Sequence, residues 1–345
     1  MSNSLPLDGP YGDDFEIGHP LPTAPAITID EGLASLYQAI SGDPARLSLS
    51  SPLSYATTGR SDRVVNSALA LQVAIGQSTV ATRIVIANLF YRDVTLHRQV
   101  PVGTTLTSTV TPVARAFTRD NGKGRRAKVL LAIDTRDEHG NQVASLQRLA
   151  LLPVRDQNRL EEAGDIGSDD SSRSLGDLLP AVPKGWDLTQ ISVAPLPEAG
   201  WQADDPLRDS ISGALDLVRL TQNQAAAHRD PARGQQGRRL VYGGHVVALA
   251  QASLSRLVPG LAAVVGWRSC DHLAPSFEDD LLTFHLTCED VLPVADGALI
   301  AFRVLGRALR SGADPVDVLD FRPVALVAGT GAADATSGTN GEDHG

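Results

Sequence analysis

Thiols are nearly missing from this chain: among 345 residues only Cys270 and Cys288 are cysteines. Two are too few for a disulfide framework, so a reducing, cytoplasmic setting is expected. They form no zinc motif, and His97, His139 and His285 have no partners at metal-ligand spacing, so no metal is expected. No apolar run reaches the ~18 residues that a membrane helix needs. The N-terminus carries Pro, Gly, Asp and Glu rather than a basic segment followed by an apolar one, which excludes a signal peptide from the reading. There is no Gly-x-Ser-x-Gly elbow, no dinucleotide fingerprint and no P-loop, so no redox cofactor is implied. A formal net charge of -10 argues against a nucleic-acid partner, although local basic patches could still hold an anionic ligand.

What is present is a globular composition, 42% hydrophobic, at a length that suggests two domains at about 150 residues each. Three segments lack apolar periodicity: residues 1–10, the polar acidic stretch 156–184, and the tail 331–345. The middle one reads as a linker between units at 11–155 and 185–330, and the tail as disordered. The two units share an order of elements. In the first, a helical pattern (Ile29 to Ile40) ends at Asp43-Pro44, an apolar helix follows around Ala68–Ile75, and strands are expected at 82–88, 92–96, 104–116, 127–136 and 143–154, the last two joined by a hairpin at Gly140-Asn141. In the second, a helix from Ile211 to about Ala227 is followed by an apolar helix at 244–258 and by strands at 262–272, 281–290, 298–310 and 316–328. Val246, Val247, Leu249, Ala250, Leu254 and Leu257 cover most of the helix circumference, so that helix must be buried nearly all round. An antiparallel sheet curling around one central helix meets that need, and the two units should be related by a pseudo-twofold axis.

The chemistry concentrates in 221–247. Asn223 and His228 lie five residues apart, ahead of a Gly243-Gly244 pair that opens the apolar helix. An imidazole moves protons near neutral pH, and a helix start offers backbone N–H groups that can hold a developing negative charge. An intact helix cannot bring positions i and i+5 onto one face, so convergence of Asn223 and His228 requires the helix to end or unwind between them; Pro231 makes an ending plausible. Each feature has a bland alternative. His228 could be a partly exposed histidine after a helix, the glycines could serve close packing, His245 could be a buried hydrogen-bonded histidine, and Arg238 and Arg239 could be solvated charges.

The doubled pattern resembles the double hotdog fold, an α+β architecture with two units, each a central apolar helix wrapped by an antiparallel sheet. The wording of both halves is similar to the MaoC-like hydratases and dehydratases, and within them to mesaconyl-CoA (2-methylfumaryl-CoA) hydratases. Carrying the resemblance are Gln222-Asn223…His228, then Gly237-Arg238-Arg239-Leu240-Val241-Tyr242-Gly243-Gly244-His245, and Pro275-Ser276-Phe277. In the first half they are Ala87-Asn88…Tyr91-Arg92-Asp93 and Pro101-Val102-Gly103. The usual Asp-x4-His pair of that group is broken in both halves: Asp43 is followed by Ser48, and His228 is preceded by Asn223. One site per chain, built mainly from the second half, is therefore expected.

The resemblance implies reversible hydration of a 2-enoyl-CoA, with a short branched or dicarboxylic acyl group such as mesaconyl. His228, Asn223 and Gly244 are the expected catalytic groups, and Tyr242, Gly243, His245, Arg238 and Arg239 the expected binding groups. An amide takes no proton, so Asn223 would only orient water through its oxygen, leaving His228 as the base. Coenzyme A would enter as part of the substrate. Arg60, Arg63, Arg92 and Arg268 are the candidates for holding a substrate carboxylate. A thioesterase and a non-catalytic acyl-CoA-binding module are the alternative readings, no membrane partner is expected, and a homodimer of double hotdogs stays open. Asp13-Asp14 and Asp279-Asp280 read as turn residues.

Overall fold

In a computed structural model the described residues are 8–120, 122, 124–167, 173–191, 194–235 and 237–329; the expected disordered tail and residues 1–7 lie outside them. Helices are α1 (Glu31–Ser41), α2 (Arg46–Leu49), α3 (Ser51–Thr58), α4 (Ser67–Ser78), α5 (Ala214–Leu220) and α6 (Gly243–Leu257). The strands of the first half are β1 (Ile27–Thr28), β2 (Ala87–Leu96), β3 (Thr105–Phe117), β4 (Arg126–Asp137) and β5 (Gln142–Pro153). Those of the second are β6 (Gln202–Asp204), β7 (Asp209–Ser210), β8 (Leu261–His272), β9 (Leu281–Val294), β10 (Gly297–Leu309) and β11 (Val316–Ala328). Among the described residues, no helix is long and apolar enough to cross a membrane.

All strands join one antiparallel sheet in the order β1-β3-β4-β5-β2-β8-β11-β10-β9-β6, with β7 also on β9. The order reads outward from the β2–β8 seam in the same way on both sides: β5, β4, β3 on one, β11, β10, β9 on the other. That seam pairs Phe90 with Asp271 and Thr95 with Gly266. Each half curls around its own helix. All twelve residues of α4 are buried, and in α6 so is the whole run from Gly244 to Ser255. This is the expected double hotdog, and its core is continuous from α4 across to α6.

Two local readings needed correction. The strand expected at 82–88 is mostly loop, following a 3-10 turn at Thr79–Ala81, and β2 begins only at Ala87. From there β2 runs through to Leu96 and absorbs Asp93, at φ 53°, as a bulge against β5; a bulge lets a strand kink without ending. The long helix expected from Ile211 to Ala227 stops at Leu220. In the acidic stretch 156–184, Asp156 N–H binds the Asp13 carboxylate and Ala163 bridges to Arg115. Farther on, Leu178 and Ala181 pack with Val265, Leu299 and Val324 in a second core on the sheet.

Candidate active site

The loop after α5 owes its shape to a left-handed residue and one short-range hydrogen bond. Gln222 takes a left-handed φ of 54°. The Asn223 side-chain oxygen then accepts the Ala225 N–H at 2.9 Å, closing a turn of the kind that favours Asn over helix. A 3-10 turn at Ala226–His228 follows. The helix thus ends before Asn223 rather than between Asn223 and His228, and the break sets both side chains on one cavity wall.

The first half anchors this loop. Gln224 N–H donates to Thr79 Oγ1 at 2.8 Å, Ala226 N–H to the Arg83 carbonyl at 2.8 Å, and Arg83 Nε to Gln224 Oε1 at 2.7 Å. Gly76 of α4 permits the approach, because a Cβ there would lie 2.1 Å from the Thr221 carbonyl oxygen.

The cavity has a volume of about 260 Å³ and lies at the seam between the halves. Its wall takes Asn88 and Tyr91 from β2, Arg148 from β5, Asn223 and His228 from the loop, Gly243 from α6 and His272 from β8. His228 Nδ1 is 3.0 Å from the Leu240 carbonyl oxygen. A carbonyl can only accept, so Nδ1 carries the proton and Nε2 keeps a free lone pair. Burial pushes the His228 imidazole down to about 4, opposed by the Leu240 bond and helped by the Arg148 and Arg229 charges. It is neutral near pH 7, the form a base needs. His272 is held down to about 4 as well, first by burial and then by His228 and Arg148. Its ring forms no hydrogen bond to protein among the described residues and stands edge-on to Tyr91, centroids 6.1 Å apart.

Gly243 and Gly244 have separate duties. A Cβ on Gly243 would sit 2.4 Å from His272 Cε1, so this glycine makes room for the imidazole. A Cβ on Gly244 would sit 2.2 Å from Gln72 Oε1; its carbonyl accepts from Gln72 Nε2 at 2.9 Å. Gly243 lines the cavity and Gly244 lies behind it. No side chain caps the start of α6, and the first N–H groups of a helix have no partner within it.

The other expected site residues divide. Tyr242 lines the cavity, its ring 5.4 Å from that of His228. Its hydroxyl donates to Gln72 Oε1 at 2.7 Å and is also bonded by Asn223, and burial raises its pKa well above 10, so it stays protonated. His245 does not reach the cavity: one turn position further along α6, it is fully buried against Gly213 and Ile40. Arg238 pairs with Asp279 and covers the Phe277 ring, and Arg239 pairs with Glu278, so both charges are answered off the wall. Of the carboxylate candidates, Arg63 pairs with Glu31, Arg92 with Asp271 and Arg268 with Asp290; none of these or Arg60 lines the cavity. Arg148 and His272 were not singled out from the sequence, since each sits in a strand whose alternation gives no sign of which neighbours it meets.

No family model matches the chain. It is 36% identical to a conserved hypothetical protein of Mycobacterium tuberculosis with a double hotdog fold, at a TM-score of 0.83, over 93% of this chain and 99% of that one. A putative MaoC domain protein dehydratase from Chloroflexus aurantiacus superposes with a TM-score of 0.83 at 24% identity, over 94% and 98% of the two chains. Among characterised proteins, the mesaconyl-CoA hydratase of Cereibacter sphaeroides is 25% identical over 319 residues, 89% of this chain and 91% of that protein. The β-methylmalyl-CoA dehydratase of Chloroflexus aurantiacus is 25% identical over 288 residues, 79% and 80%.

Proposed function

The chain belongs to the MaoC-like double hotdog dehydratases, which are hydro-lyases of the enoyl-CoA hydratase type, and from that premise we propose that its seam cavity hydrates a short branched or dicarboxylic 2-enoyl-CoA such as mesaconyl-CoA. The observation that carries the reading is His228: Nδ1 bonded to the Leu240 carbonyl, Nε2 left as a base, and the uncapped start of α6 on the same cavity.

The thioester carbonyl accepts a hydrogen bond from the Gly243 N–H at the start of α6, which draws electrons from the double bond. His228 Nε2 takes a proton from water as the water oxygen bonds to the β-carbon. The π electrons move to the α-carbon and carbonyl oxygen, giving an enolate that the helix start stabilises, an effect typically worth ~2.7–4 kcal/mol per donor. The imidazolium of His228 returns the proton to the α-carbon. Dehydration runs the same steps backward.

Asn223 has less freedom than an isolated amide, because its oxygen already holds the Ala225 N–H and it also bonds the Tyr242 hydroxyl. It contributes the oxygen's second lone pair to the water, and His272, neutral and unpaired, holds the water from another side. The acyl preference draws on the two named relatives and on a cavity of about 260 Å³, below the usual ~300–1,000 Å³ of small-molecule sites.

Incubation with crotonyl-, mesaconyl- and saturated acyl-CoA tests this. Loss of enoyl absorbance without free thiol is the expected result. Thiol release would mean a thioesterase, and binding without product a non-catalytic module.

A further inference from the structure

Arg148 on β5 is 3% exposed and stands on the cavity wall. Its Nε donates to Asn88 Oδ1 at 2.8 Å, one terminal nitrogen to Ser78 Oγ at 2.8 Å and the other to Thr82 Oγ1 at 2.7 Å. All three acceptors are neutral, and Arg148 forms no ion pair among the described residues. Several arginines shielded from solvent are answered by acids: Arg92 by Asp271, Arg256 by Asp205 and Asp209, Arg310 by Asp280. Arg115 is the instructive exception. It is buried without a carboxylate, but it binds three backbone carbonyls and does not line this cavity. Arg148 differs in facing open volume.

A guanidinium has five N–H donors in a planar fork. Three are engaged, which leaves one on each terminal nitrogen. Among the described residues, the cavity wall carries no aspartate or glutamate to meet them. A cation taken out of water without a counter-charge is costly, and the three neutral oxygens fix its plane without cancelling its charge. The arrangement is that of a receptor waiting for an anion.

We propose that Arg148 receives a carboxylate borne by the acyl group of the substrate, so that this protein selects enoyl thioesters of dicarboxylic acids over their neutral analogues. The inference rests on the hydratase reading of the same cavity and adds to it a residue and a substrate class. The anion is assigned to the acyl group and not to a coenzyme A phosphate because Arg148 shares the cavity wall with the two imidazoles. Its charge depresses the protonation of both. The phosphates lie beyond the whole length of the pantetheine arm.

Mesaconyl-CoA and tigloyl-CoA differ only in a carboxylate for a methyl, and they make the test. The wild-type protein should favour mesaconyl-CoA in kcat/KM by on the order of 10²-fold or more, as sites built to bond a polar group reject analogues lacking it. The preference should persist between the corresponding pantetheine thioesters, which have no phosphate. Arg148→Gln should reduce the ratio to about threefold or less, and Arg148→Lys should retain part of it. Because Arg148 also ties β5 to Ser78, Thr82 and Asn88, the variants could fail to fold. The wild-type ratio stands without them, as does calorimetric binding of the same thioesters to the His228→Ala protein.

Equal hydration of the two CoA esters would overturn the role of Arg148 and leave the hydratase reading intact. A preference lost in the pantetheine pair would overturn it in favour of phosphate binding. Carboxylate-dependent binding with no hydration would support Arg148 and sink the hydratase reading. Neither hydration nor selective binding would overturn both.

Discussion

Replacing Gly243 with alanine separates the fold from the site. The new Cβ would lie 2.4 Å from His272 Cε1, 2.5 Å from Nε2 and 3.0 Å from Nδ1, against an ordinary contact of 3.4–4 Å. The imidazole must therefore move by about 1 Å, and on its free side lies the cavity of about 260 Å³. It can swing there without disturbing α6. Overpacking usually costs ~1–3 kcal/mol, but relief into open volume puts this case at the low end. Alanine in place of glycine returns up to ~1 kcal/mol of helix propensity. The melting temperature should move by no more than ~3 °C. Activity should fall much further, since a ~1 Å misplacement in a site costs on the order of 10²-fold. Thermal melts and kcat/KM on mesaconyl-CoA, measured on the same preparation, decide it. Wild-type kcat/KM in Gly243→Ala would refute the claim that the placement of His272 matters. A collapse in Tm would refute the claim that the cavity relieves the clash.

His228→Ala should cut hydration by about 10²–10⁴-fold with little change in ligand affinity, because only the proton transfer is lost; a parallel loss of binding would assign His228 to packing. Asn223→Asp should keep measurable turnover with a shifted pH profile, since the new carboxylate still accepts the Ala225 N–H and becomes a second base; complete inactivity would show that the Tyr242 contact, not the water, is what the amide serves. Burial holds the His245 imidazole down to about 4, below its ordinary ~6.5, and neither ring nitrogen has a partner among the described residues. The unfolded chain therefore binds its proton first, and the stability His245 contributes is full above pH ~6.5 and drains as pH falls toward 4, by roughly 2 kcal/mol between 6.5 and 5. His245→Leu should flatten that acid limb in urea titrations while hydration activity persists; lost activity would return His245 to the substrate site.

The burial of the two central helices and the order of elements along the chain were legible in the sequence because both are carried by local periodicity. The apolar circumference of 244–258 demanded a wrapping sheet, and the repeated order of elements demanded two of them. The Gly-Gly start of α6 was legible for the same reason, since helix starts act over a few residues, whereas the helix expected to reach Ala227 stops at Leu220. Contacts between residues distant in the sequence decided the rest. A strand shows which residues alternate but not what faces them, so Arg148 looked like any charged residue in β5 until β2, α4 and the loop closed around it. His272 looked like the end of a strand until Gly243 made room for its ring. Four other arginines were weighed for the carboxylate, and three of them are paired with acids 22 to 179 positions away or across a loop. His245, two positions after the cavity-lining Gly243, points elsewhere, because successive helix positions are rotated about 100° apart. Local chemistry is written in neighbouring residues, whereas the electrostatics of a cavity depend on which distant groups the fold leaves without a counter-charge.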